Sequence, residues 1–102
     1  MRIDVGVYTP ILVNLTGFDF AGRSKVILTI KNHPDTAQPI LVEREYTESK
    51  LYNEVITPEE SCKLREGAVY DFDEVLTDGT RFKICDNKPI TLRKGCGHCQ
   101  MN

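Results

Sequence analysis

The chain has 102 residues, the size of one domain, with material for a modest core and little left over for a deep substrate pocket. Its 13 Lys and Arg against 15 Asp and Glu leave a formal net charge of -2. That balance argues against nucleic acid as a partner, since phosphate binding selects a basic excess, and gives no attraction to an anionic membrane. No apolar run approaches the length that spans a bilayer, roughly 20 residues.

The start, Met1-Arg2-Ile3-Asp4-Val5-Gly6, lacks the apolar stretch and small-residue cleavage site of a secretory signal. The expectation is synthesis in a cytoplasm, with residence there or departure inside a larger assembly. The first strand signal is Tyr8 to Leu15, where Pro10 suits an edge or a strand beginning. Phe18 and Phe20 then sit two apart in a loop. They face one way, and with Tyr8 they form either part of the core or a surface patch at one pole.

Ser24 to Lys31 is the clearest strand. Val26, Leu28 and Ile30 share one face, and Lys25, Ile27, Thr29 and Lys31 the other. A polar turn with Pro34 and an exposed His33 follows. Ile40 to Thr47 is the next strand, with Ile40 and Val42 on one side, and Leu51 to Ile56 a short fourth. At Thr57-Pro58-Glu59-Glu60 the pattern changes. Thr57 is an N-cap candidate, Pro58 occupies the first helical position, and Glu60 completes a capping box. The turn so started is short, running from Thr57 to Leu64, with Gly67 at its C-cap.

Strand character resumes from Gly67 to Leu76, with Tyr70 and Phe72 inward and Asp71 and Asp73 outward and solvated. Asp78-Gly79 marks a hairpin. Arg81 to Cys85 pairs back with Phe82 and Ile84 inward, Asp86 to Pro89 turns, and Ile90 to Arg93 closes the domain. About seven short strands at intervals of roughly eight to twelve residues predict an all-β, antiparallel, immunoglobulin-like β-sandwich with one short helical turn. The expected core is Val26, Leu28, Ile30, Val42, Tyr70, Phe72, Phe82 and Ile84. Residues 1–94 would form the sandwich and residues 95–102 a cysteine-bearing tail. Ile90 to Leu92, flanked only by Pro89 and Arg93, is the edge expected to meet a partner.

The four cysteines leave several readings open. Cys96-x-x-Cys99 is half of a tetrahedral zinc site, which Cys85 and Cys62 would complete better than the inserted His98. A redox dithiol would need a helix after the pair to stabilise a thiolate, and only Gln100, Met101 and Asn102 follow. The third reading is a tail of free thiols or a local disulfide, with Cys62 and Cys85 as small core hydrophobes. In the absence of a secretory signal, a structural disulfide framework is the weaker expectation.

Three stretches carry a family resemblance: Asp19 to Gly22 leading into Val26–Lys31; Ile56 to Glu60 with Leu64 to Gly67 and the aromatic strand Val69–Phe72; and Asp78 to Thr80 leading into Phe82–Ile84 and Pro89–Leu92. Over residues 8–93 the chain is similar to the immunoglobulin-like domains of phage virion proteins, such as the N-terminal domain of phage baseplate upper proteins and related small prophage structural proteins. The resemblance implies a non-enzymatic structural or adaptor module, placed in a virion by contacts with protein partners or with further copies of itself. It implies no cofactor. The alternative is a small host-cell module with a structural zinc at Cys62, Cys85, Cys96 and Cys99, or less readily a thiol redox protein.

Overall fold

A computed structural model of the chain describes residues 1–34, 39–94 and Cys99. The elements are β1 (Arg2–Val5), β2 (Thr9–Asn14), β3 (Arg23–Lys31), β4 (Val42–Tyr46), β5 (Leu51–Ile56), α1 (Pro58–Cys62), β6 (Val69–Leu76), β7 (Arg81–Pro89) and β8 (Thr91–Lys94). The fold is all-β and mostly antiparallel, with one short helix. A four-stranded sheet runs β4-β3-β6-β7, β2 pairs with β5, and β1 pairs with β8. That last pair is parallel, which departs from the wholly antiparallel expectation. β1 itself went unpredicted, although Ile3 and Val5 alternate with Arg2 and Asp4. Ile3 is fully buried in the core.

The core lies between the β2–β5 ribbon and one face of the four-stranded sheet. Ile11, Val13 and Ile56 meet Val26, Leu28, Ile30, Val42 and Tyr46 there. Fully burying each large apolar side chain stabilises the fold by about 1.5–3 kcal/mol. At the start of β4 the expected alternation fails. Leu41, not Ile40, packs on the core, because the Leu41 N–H donates to the Ile30 carbonyl and holds the chain close to β3.

The capping box forms as the sequence requires. Thr57 Oγ1 accepts from the Glu60 N–H at 3.2 Å, and Glu60 Oε1 accepts from the Thr57 N–H at 3.0 Å. The helix stops two residues before the expected end at Leu64. It ends at Cys62 with Lys63 as its C-cap. Gly67 instead serves the turn into β6, at φ 96°, where the Ala68 N–H donates to Arg65. The Asp78-Gly79 hairpin also forms. Gly79 takes φ 93°, Leu76 and Thr80 close the turn, and Asp78 Oδ1 accepts from the Thr80 N–H at 2.9 Å.

Helix α1 is a node for distant segments. Buried Ser61 accepts the Gly6 N–H through its Oγ at 2.9 Å, anchoring the end of β1. Glu60 holds Arg44 of β4. Asn32 reaches the backbone of Lys63 and Arg65 from the end of β3. Cys62 is disulfide-bonded to Cys99, with 5.3 Å between their Cα atoms.

β7 runs to Pro89, with no turn at Asp86. Asp86 and Asn87 form a bulge opposite Asp71, between the paired Cys85 and Lys88, and Asn87 adopts φ 50°. The bulge aims the Asn87 N–H at Asp71 Oδ1, as bulges re-aim groups within a ladder. Two further corrections follow from this corner. Phe82 and Ile84 are not core but about half exposed. Asp71 and Asp73 are not solvated but buried, at 3 % and 4 % exposure. Both belong to a central strand whose second face, with Ile27, Thr29 and Val69, is buried as well.

Candidate protein-binding surface

The β2–β5 ribbon carries apolar side chains on both faces. Thr9, Ile11 and Val13 point inward, so Pro10, Leu12 and Asn14 point outward. The register sets Pro10 beside Val55, Leu12 beside Asn53 and Asn14 beside Leu51. The outer face therefore carries no charge. Leu12 is 68 % exposed, and Tyr8, just ahead of the strand, 71 %. Leu51 and Val55 are each about half exposed. A ribbon facing water on one side normally alternates apolar with polar residues, and this outer face departs from that by gathering exposed apolar side chains.

On the inner side, burial falls off across the four-stranded sheet. Tyr46 and Val26 are buried, while in the same row Glu74 is half-buried and Phe82 exposed. In the next row inward-facing residues go from buried Leu28 to half-buried Phe72. The two-stranded ribbon covers β4 and β3 and leaves β7 uncovered. Beside the ribbon lies a groove of about 440 Å³, lined by Leu12, Val13, Phe18, Phe72 and Ile84 among others. It continues into one of about 340 Å³ that shares Leu12, Val13 and Phe72 and adds Tyr70 and Arg2.

Of the aromatic trio, only Tyr8 is exposed. Phe18 and Phe20 stack edge to face at 4.8 Å and pack against the core. The guanidinium of Arg23 lies over the Phe18 ring. The edge expected at Ile90–Leu92 is taken on one side by β1, and Ile90 is buried. The more exposed apolar edge is β2.

The buried carboxylates are satisfied from β7. Arg81 Nε donates to Asp73 at 2.5 Å, and Lys83 Nζ reaches Asp73 at 3.2 Å and Asp71 at 3.3 Å. Burial alone would lower the Lys83 pKa, but the two carboxylates outweigh it and raise the pKa above its ordinary value. This cluster is a closed set of ion pairs under β7.

The cysteines proposed as zinc ligands divide. Cys62 and Cys99 are bonded to each other, so in this structure their sulfurs are not thiolates free for a metal. This pairing also replaces the expectation that a structural disulfide is the weaker choice. Cys85 is free and half-buried on β7, paired in register with Phe72. Cys96 and His98 lie outside the described residues. Among the described residues, no group of three or more His, Cys, Asp and Glu is arranged to hold a metal ion. The surface residues Leu12, Leu51 and Val55 were missed by the sequence reading. The run Ile11-Leu12-Val13 was the available signal, because consecutive apolar residues in a strand imply two apolar faces.

No protein-family model, curated protein or solved structure matches this chain.

Proposed function

We propose that this chain is a non-enzymatic structural or adaptor domain of immunoglobulin-like sandwich type that works through protein–protein contacts in a larger assembly. The assembly its strand-and-turn pattern resembles is a phage or prophage virion. The observation that carries the reading is the uncharged outer face of the β2–β5 ribbon, with Tyr8, Leu12, Leu51 and Val55 exposed together. The Cys62–Cys99 disulfide supports it, since such bonds persist on particles that leave the reducing cytoplasm.

The test is incorporation into particles. A tagged chain would be expressed during particle production in the natural host, and gradient-purified particles probed for it. The expected result is co-sedimentation of the wild type and its loss in Leu12→Asp/Val55→Asp, with an unchanged melting temperature. A wild-type chain that stays at the top of the gradient as a monomer would overturn the reading.

A further inference from the structure

We propose that the edge of β2 away from β5, which pairs with no strand among the described residues, takes up an extended strand from a partner protein, which completes the two-stranded layer and fills the trough beside the ribbon. The proposal rests on the protein-contact reading and names the kind of contact.

The backbone supplies the first argument. The Leu15 N–H donates to the Lys50 carbonyl, and Asn14 stands opposite Leu51. In an antiparallel pair the bonding residues alternate, so residues 9, 11 and 13 turn their N–H and C=O groups toward β5. The groups of Leu12 and Asn14, and the carbonyl of Pro10, point to the open side. Pro10 lies in the outward series, where its missing N–H breaks no bond within the ribbon. An open row of this kind is a template for strand addition.

The trough supplies the second argument. A strand set about 4.8 Å from β2 would lie over Phe72 and Ile84, which line the groove beside the ribbon. Among the described residues lining the trough, Arg2 has the one charged side chain. The complementary segment is therefore uncharged over its length, with an apolar residue at every second position.

Area decides between a strand and a second globule. The trough beside β2 exposes two large apolar side chains, Leu12 at 68 % and Ile84 at 46 %. A stable interface between two globules needs about 800 Å² on each partner. The trough falls short of that and fits the footprint of one strand as long as β2.

The experiment uses ¹⁵N-labelled protein and a capped hexapeptide of alternating threonine and valine. In the free protein, the Leu12 and Asn14 amides should exchange with solvent much faster than those of Ile11 and Val13. At about 1 mM peptide, the weak-binding range, the Leu12 and Asn14 signals should shift along a saturating curve and gain about twofold protection. The same peptide N-methylated along one edge should do neither. Ile84→Asp, checked for an unchanged melting temperature, should weaken binding about tenfold or more. Unshifted Leu12 and Asn14 signals, or equal binding of the N-methylated peptide, would overturn the proposal. So would protection of these amides in the free protein that rises with protein concentration, which would make a second copy the occupant. Peptide failure with particle incorporation intact removes strand addition alone. Peptide binding without incorporation removes the assembly reading alone.

Discussion

Arg44 Nη2 donates to both carboxylate oxygens of Glu60, at 2.9 and 3.0 Å, across the join between β4 and α1. The same guanidinium lies 3.4 Å from Glu54 of β5. One side chain thus ties the four-stranded sheet to the ribbon and to the helix. Glu60 has a second duty, accepting the Thr57 N–H in the capping box.

This double use makes the fold acid-sensitive. Burial alone would raise the Glu60 pKa, but the Thr57 N–H and Arg44 together lower it below the ordinary carboxylate value. A carboxylate with a lowered folded pKa contributes stability above its unfolded pKa, about 4.3, and that stability is lost as pH falls through the folded value. Glu60→Gln should therefore be less stable than wild type at pH 7, with the two melting curves converging below the carboxylate range. A constant gap between them across pH would show that the charge of Glu60 is not what the fold uses.

Lys83 gives the opposite limb. Its raised pKa means a contribution present below the unfolded lysine value, about 10.4, and lost as pH rises through the folded value. Lys83→Met should flatten the alkaline loss of stability. It should also destabilise the protein at neutral pH by about 1–3 kcal/mol, because Asp71 and Asp73 stay buried with fewer donors. Denaturant melts at several pH values measure both effects.

The Cys62–Cys99 bond joins positions 37 apart in the sequence. Chain entropy sets its stabilisation at about 4 kcal/mol as an upper figure. Cys99→Ser, or reduction of the wild type, should lower the denaturant midpoint by a corresponding amount. In thiol titration of the unfolded, unreduced protein, Cys62 and Cys99 should be silent, and they should appear after reduction. Full reactivity of both without reductant would remove the bond from the account.

The corrected core is tested by a pair of truncations. Leu28 is fully buried in mid-sheet, so Leu28→Ala should cost about 2–5 kcal/mol. Phe82 was expected beside it, yet lies half exposed. Phe82→Ala should cost less than about 1 kcal/mol. Similar losses at both sites would return Phe82 to the core.

The chain's sequence determined the features that close within a few residues. Thr57, Pro58 and Glu60 start a helix because the cap bonds span one turn. Asp78-Gly79 makes a hairpin because glycine takes the positive φ that the turn needs. Val26, Leu28 and Ile30 share a face because strand side chains alternate. Alternation names two faces but not which of them is covered. Whether Phe82 is buried depends on how far a ribbon made from residues 9–14 and 51–56 extends across the sheet, and the ribbon stops short. Whether Asp71 and Asp73 meet water depends on Arg81 and Lys83 of the neighbouring strand. The parallel pairing of Arg2 with Thr91 and the choice of Cys62 by Cys99 join positions far apart in the chain, and only the packing that brings α1, β1 and β8 together could decide them.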